Sequence, residues 1–387
     1  MRPGLRSDGS ECNEYILLYV DDALAVGVDA EKMLRNEVGK YFELKPDSVG
    51  PPKLYLGGRM SEVVLDNGVR AWSISSSQYV QNAVKNVEKH LAEQGLKLPN
   101  KADTPIQTSY RPELDVTNEL SPKDAGHYQS LIGVLRWICE LGRVDICLEV
   151  SMLSSHLALP RSGHLTQVLH ICAYLRKHHN AELVLDPSDP VINMEDFEKR
   201  DWTSSEFGHV IGVEEVPKNM PRPRGFGFVI RGKVDADHAG DTTTRRSRTG
   251  FIVYINCAPC YWLSKKQTSV ESSSFGSEFV AMKQCCEYIR GLRYKLRMMG
   301  IPVEGPAFIY GDNQSVLANS TIPDSTLKKK SQSICYHFVR EGAARDEWRT
   351  TYVNTHDNEA DLLTKVLPHG DKRKGFVRCI LHHVFDE

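Results

Sequence analysis

Beyond residue 225 the hydrophobic pattern changes period in a definite succession, and that succession constrains the fold more than any other feature of the chain. The runs "GFGFVIRGKVDADHAG", "RTGFIVYI" and "CYWLSKKQ" read as three strands of an antiparallel meander. A long helix follows, with Ser272 to Ser274 as N-cap candidates, Phe279, Met282, Ile289, Leu292 and Leu296 as its apolar face, and Gly300 and Pro302 as its stop. Then come a buried-type strand "AFIYGDN", a short helix, a Lys-rich loop, a helix around "ICYHFVREGA", a strand "WRTTYV" and a last helix opening at "NEADLLTK". The order β-β-β-α-β-α-α-β-α predicts an α/β fold in which helices pack on a mixed sheet.

Four acids occupy telling places in this succession. Asp235 lies in the first strand, Glu278 in the first turns of the long helix, Asp312 at the end of the fourth strand, and Asp361 at the start of the last helix. A helix packed across a sheet can present a carboxylate to its centre, and four such groups would repel and desolvate one another unless cations neutralised them. Hard Mg²⁺ suits carboxylate oxygens. Two such ions about 3.5–4 Å apart would activate a water and stabilise the leaving oxygen of a phosphodiester. Asp237 follows Asp235 by two and shares its face of the strand, so a register error would exchange them.

The first half reads differently. "EYILLYVDDALAVGV", Glu14 to Val28, is a β-hairpin with Asp21 and Asp22 at its tip, where turn chemistry and metal binding are both open readings. "KLYLGGRM" and "AWSISSSQYVQNAV" continue as strands, the second handing over to a helix. From about Tyr128, apolar residues at Leu131, Val134, Leu135 and Ile138, and again at Leu165, Val168, Leu169, Cys172 and Leu175, mark amphipathic helices. Met194 to Arg224 is acidic and then Pro/Arg-rich without periodicity, which predicts a linker or insertion.

Composition bounds what this can be. With 387 residues, 41% hydrophobic and 25% charged, the chain suits two or three soluble packed domains. No window approaches twenty apolar residues and the N-terminus lacks a signal-peptide core, so an intracellular, reducing location is expected. The ten cysteines include one Cys257-x-x-Cys260 and the adjacent Cys285 and Cys286, without a second pair at zinc-ligand spacing. Cys257 and Cys260 lie within a strand pattern, which argues against a thioredoxin-like redox site. The net charge of -2 hides basic clusters at Arg245, Arg246 and Arg248 and at Lys328 to Lys330.

The motifs "DADHAG", "RTGF", "WLSKKQ", "SEFVA", "YGDNQS", "HFVRE" and "ADLLTK" occur in the order of the RNase H domain of copia-type LTR retrotransposon Pol proteins, which residues 235–367 resemble. Upstream, "YVDD", "LYLGG", "SSQYV", "DTP", "YQSLIGVLRW", "GRVDI" and "PRSGHL" resemble the end of the reverse transcriptase of the same family. Each motif is weak alone, and their shared order is what makes the resemblance specific. It implies a multi-domain α/β protein: a truncated reverse-transcriptase palm over 1–110, a helical thumb or connection over 111–190, the linker or insertion over 191–224, an RNase H-like domain with a mixed five-stranded sheet over 225–367, and a tail over 368–387.

The resemblance also implies a function, metal-dependent hydrolysis of the RNA strand of RNA–DNA hybrids. Asp235, Glu278, Asp312 and Asp361 match the metal positions, for two Mg²⁺ or Mn²⁺ ions. Asp21 and Asp22 match the polymerase acids, which are expected to be vestigial because only 18 residues precede Tyr19, leaving out the fingers and an upstream third acid. His356 is a candidate for product release or proton transfer, a plain surface histidine being the simpler reading. Asn313, Gln314 and Ser315 are candidates for 2′-hydroxyl contacts, and Lys265, Lys266 and Arg248 for phosphates, with helix capping and solvation as the simpler readings. Expected partners are the hybrid and other Pol or Gag segments, without a membrane, in cytoplasmic virus-like particles. A binding remnant without turnover, or a subunit completing a polymerase in trans, are the alternatives. Two departures from the family pattern stand out: "FGSEF" keeps Glu278 but loses an earlier acid, and Lys330, Ser331 and Gln332 replace a "KHI" string.

Overall fold

The computed structural model describes residues 1–387 apart from Asp21, Pro46, Val213, Lys328, Lys329 and Glu387. Strands β1 (Arg2–Leu5), β2 (Glu11–Tyr19) and β3 (Asp22–Val26) form an antiparallel sheet, in which Tyr19 pairs with Asp22 at the hairpin tip. Helix α1 (Ala30–Asn36) leads to a second antiparallel sheet of β4 (Leu54–Tyr55), β5 (Gly58–Val64) and β6 (Arg70–Ser75). Helices α2 (Ser77–Glu93), α3 (Pro122–Glu140), α4 (Cys147–Ser154) and α5 (Ser162–Lys177) follow, before β7 (Glu182–Leu185) returns to pair with β6. Helix α3 starts where Ser121 accepts a hydrogen bond from the Asp124 N–H, with Pro122 at the first helical position. Its buried Tyr128, Leu131, Ile132, Leu135 and Ile138 keep the three-to-four spacing and face the buried stripes of α2 and α5. Each such side chain, fully buried, stabilises by about 1.5–3 kcal/mol.

The remaining strands are β8 (Ile230–Asp237), β9 (Arg248–Ile255) and β10 (Ala258–Lys266), followed by α6 (Ser274–Met298), β11 (Ala307–Gly311), α7 (Gln314–Thr321), α8 (Ser333–Ala344) and β12 (Trp348–Tyr352). The sheet order is β10-β9-β8-β11-β12, antiparallel among the first three strands and parallel from β8 through β11 to β12. The mixed five-stranded sheet expected from the sequence is therefore present. Helix α6 is capped by Ser273, whose side chain accepts from the Gly276 N–H, and it ends before Gly300 at φ +62°.

Strand β9 shows why both faces of this sheet are covered. Its residues are buried in an almost unbroken run, the mark of a strand with a layer on each side. Phe251 and Val253 pack with Phe279, Met282, Cys285 and Ile289 of α6. Ile252 and Tyr254 face the other way and join the apolar cluster of α2, α3 and α5. The two halves of the chain thus share one continuous core, across the boundary that the sequence suggested.

Two expected segments turn out differently, and in a third one of the two readings falls away. Residues 191–224 do not behave as a bare linker, because Phe197, Trp202 and Phe207 are buried and Glu214 receives hydrogen bonds from Arg293 and Arg297 of α6. Burial would raise the Glu214 pKa, but the two guanidinium groups outweigh it and hold the carboxyl at about 2. Widely spaced anchors without a period leave no mark on the hydrophobic pattern. Residues 368–387, expected as a tail, contain α9 (Asp371–Ile380), whose Phe376, Val377 and Ile380 are buried in the core of the first half. Beyond it, His382 bridges to Glu182 of β7. The last helix expected at "NEADLLTK" is a 3₁₀ turn, Glu359–Leu363, held by Asn358, which donates to the Val234 carbonyl at 2.9 Å and caps the Ala360 N–H.

A charged network lies under this shared core. Arg143 and Asp145 are wholly buried and paired through two 2.8 Å hydrogen bonds, and Tyr174 donates to Asp145 at 2.9 Å. Glu149 of α4 lies beyond them within the influence of Arg373, Asp145 and Arg248, with one carboxyl oxygen lacking a hydrogen-bond partner among the described residues. Burial raises its pKa from 4.5 to about 7. The folded protein then holds a proton that the unfolded chain releases, so this group favours folding fully below about pH 4.5 and loses that favour as pH rises through about 7. Glu149→Gln is expected to remove about 3 kcal/mol of pH-dependent destabilisation across that window. Urea unfolding of both proteins at pH 5 and pH 8 checks this; an unchanged pH slope in the variant would refute it.

Candidate metal centre

The register of two neighbouring strands builds the centre. Gly311 of β11 pairs in parallel with Val234 of β8, so Asp312, just past the end of β11, and Asp235, still within β8, lie side by side. Asp361 arrives from the 3₁₀ turn, which lies against β9 at Gly250. A Cβ on Gly250 would stand 2.8 Å from Leu363 Cβ and 3.1 Å from the Ala360 carbonyl oxygen, so only glycine lets the turn come this close. Carboxylate oxygens of Asp235, Asp312 and Asp361 lie within 4.8 Å of one another, the one such group of three or more potential ligands among the described residues.

Electrostatics follow from that crowding. Burial, then the Asp361 and Asp312 charges, raises the Asp235 pKa from 3.8 to about 6 against the opposing pull of Lys365. Glu278 faces the group from α6 without belonging to the 4.8 Å cluster; burial and then Asp235 and Asp312 push its pKa well above the usual carboxylate range. The ammonium of Lys365 stands 3.1 Å from Asp235 and 2.6 Å from Asp361, and that of Lys372 stands 2.7 Å from Asp361. Thr364 donates to Asp235, and Thr355 donates to Asp312 at 2.8 Å. Hard, converging carboxylate oxygens whose repulsion already attracts cations are a donor set that fits Mg²⁺ or Mn²⁺.

The other candidate residues are placed as follows. Asp237 shares the strand face with Asp235 but stands outside the 4.8 Å group, its carboxylate lying over Gly240. His356 is exposed in the 355–357 turn. Asn313 caps α7, its side-chain oxygen accepting from the Ser315 and Val316 N–H groups at 3.1 and 3.2 Å, while Gln314 and Ser315 are exposed beside it. Lys265 is exposed, and Lys266 is paired with Asp241 at 2.7 Å. Arg248, the third phosphate candidate, is half-buried and donates to Ser151 of α4 at 2.8 Å and Ser264 of β10 at 3.3 Å, and burial lowers its pKa to about 10. Asp22 is exposed at the hairpin, accepting from the Leu56 N–H at 3.3 Å; Asp21 lies outside the described residues.

Two residues at the centre went unnoticed in the sequence. Lys365 follows Asp361 by four positions within "ADLLTK", a spacing that signals an ion pair. Lys372 carried no such signal, since its approach depends on where α9 docks. Beside the centre, between the helices and the five-stranded sheet, is a cleft of about 360 Å³ lined by Arg111, Glu113, His156, Arg246 and Lys365 among others.

An acidic cluster on a mixed sheet, joined to a hairpin and a helical half, can now be set beside known proteins. No family model matches the chain. Over 363 residues, 91% of its length, it is 25% identical to the retrovirus-related Pol polyprotein from transposon TNT 1-94 of Nicotiana tabacum. It is 26% identical over 356 residues, again 91% of the chain, to that from transposon RE1 of Arabidopsis thaliana. The chain spans 23% and 20% of those relatives' own lengths. Among solved structures, RNase H1 from the archaeon Halobacterium salinarum NRC-1 overlaps 35% of this chain and 93% of its own at 15% identity, with a TM-score of 0.28 that carries no weight beside the strand order. The chain is therefore related to retrovirus-related Pol polyproteins. The resemblance to those of copia-type transposons holds along nine-tenths of its length.

Proposed function

We propose that this chain hydrolyses the RNA strand of RNA–DNA hybrids with divalent metal held by Asp235, Asp312, Asp361 and Glu278. The observation that carries the reading is the convergence of three carboxylates, from β8, the end of β11 and the 359–363 turn, at one end of the five-stranded sheet. Its relation to Pol polyproteins supports it, because such a polyprotein must process a hybrid if it copies RNA into DNA. Two bound Mg²⁺ or Mn²⁺ ions would supply an activated water and stabilise the leaving oxygen.

The chain's own residues would then do the positioning. Asp235 and Asp361, wholly buried, are oriented by Thr364 and Lys365, and Asp312 by Thr355. Glu278 enters from α6 and would give up its proton to serve as a ligand. Gln314 and Ser315, exposed next to Asp312, would meet 2′-hydroxyls in the wide minor groove, the contact that separates RNA from DNA. Lys265, exposed on β10, would contact a phosphate. We read residues 225–367 as the nuclease domain, 1–110 as part of a palm whose Asp21 and Asp22 take no part in hydrolysis, and 111–190 as a thumb or connection that helps to hold the hybrid.

The test is cleavage of a labelled RNA strand annealed to DNA, with Mg²⁺ or Mn²⁺, by the parent and by Asp312→Asn. Cleavage by the parent that falls about a hundredfold or more in the variant is expected. A folded parent that binds hybrid but leaves it intact would sink the nuclease reading and favour a binding remnant.

A further inference from the structure

Both carboxylate oxygens of Asp361 are held by ammonium groups of the chain itself. Lys365 stands 2.6 Å from one oxygen and Lys372 stands 2.7 Å from the other, while Asp361 is 0% exposed. A cation bound there would share or take over oxygens that the lysines now hold, against the repulsion of two positive charges.

The two lysines reach Asp361 by different routes. Lys365 sits four residues along the same local segment and moves with it. Lys372 comes from the first turn of α9, and α9 is rooted in the other half of the chain. Its next residue, Arg373, donates to the Asp145 carbonyl at 2.7 Å and to the Tyr174 hydroxyl at 3.3 Å. Phe376, Val377 and Ile380 bury the helix in the same core as α2, α3 and α5. The helical half thus sets where Lys372 stands, and the acidic centre receives its charge.

We propose that Lys372 is an internal counter-ion that competes with divalent metal for Asp361, so that the docking of α9 on the helical half sets the metal affinity of the acidic centre. The proposal rests on reading the acids as a metal site. A docked α9 weakens metal binding and a displaced one strengthens it; by reciprocity, bound metal weakens the hold of Lys372.

Mn²⁺ binding to the full chain, titrated by electron paramagnetic resonance or calorimetry, tests this without reference to turnover. Lys372→Met keeps the stem and removes the charge, and is expected to bind Mn²⁺ about tenfold tighter than the parent. Lys372→Arg keeps the charge and is expected to remain within about twofold of the parent. Asp312→Asn serves as the control for the metal site. Binding lost in Asp312→Asn but unchanged or weakened in Lys372→Met would overturn the counter-ion role and leave the metal reading standing. Equal tightening by Met and Arg would also overturn it, by assigning the effect to packing. No Mn²⁺ binding by either parent or Lys372→Met would overturn the metal reading and this proposal together.

Discussion

Asp235→Asn is expected to slow cleavage of the RNA strand about a thousandfold or more, whereas Asp237→Asn is expected to change it by less than about fivefold. The contrast follows from placement, since both residues are aspartates on one face of β8. Asp235 has its carboxylate within 4.8 Å of those of Asp312 and Asp361, and Asp237 does not. Replacing one oxygen of Asp235 by an amide nitrogen removes a negative charge and puts a donor where the proposed cation would bind. Several kcal/mol of transition-state stabilisation by metal are at stake, at about 1.4 kcal/mol for each tenfold in rate. Because Asn matches Asp in volume and retains an acceptor for Thr364, folding should survive. Single-turnover rates on a labelled hybrid, with circular dichroism of both variants, check the pair. Similar losses at both positions would move the metal site away from Asp235.

Asp145→Ala is expected to lower stability by about 3–5 kcal/mol, the largest single loss predicted for this chain. Asp145 lies wholly buried and joins three groups: Arg143 through two hydrogen bonds, the Tyr174 hydroxyl, and Arg373 of α9 through its backbone carbonyl. Removing the carboxylate leaves the Arg143 guanidinium charged at 0% exposure, with its remaining bond to the His178 carbonyl. An isolated buried charge costs far more than the intact pair contributes, so breaking it from one side is the severe change. Replacing both partners with apolar residues of similar volume should recover much of the loss. Urea unfolding midpoints measure this directly; a change below about 1 kcal/mol in Asp145→Ala would show that the network is solvated or easily rearranged.

The two predictions draw on different amounts of sequence information. Asp235, Glu278, Asp312 and Asp361 were legible as candidates because each falls at a definite place in the succession of strands and helices, and that succession is a local signal. The boundaries of α6 were legible for the same reason, through Ser273 as cap and Gly300 as stop. Arg248 shows the limit of local reading: nothing in its neighbourhood tells that its side chain will donate to Ser151 of α4. The same holds for Phe197, Trp202 and Phe207, whose spacing has no period.

What the sequence by itself determined was the order of elements, the apolar faces of the long helices and the acids available to a mixed sheet. Local propensity and periodicity act over a few residues, so these features need no knowledge of the rest of the chain. Tertiary structure alone decided that three of the acids meet within 4.8 Å, that Ile252 and Tyr254 join the two halves in one core, and that Lys372 reaches Asp361. Those contacts link residues far apart in sequence. They exist because burying the apolar faces of β9 and α9 outweighs the entropy of bringing distant segments together, and no short window of sequence records that balance.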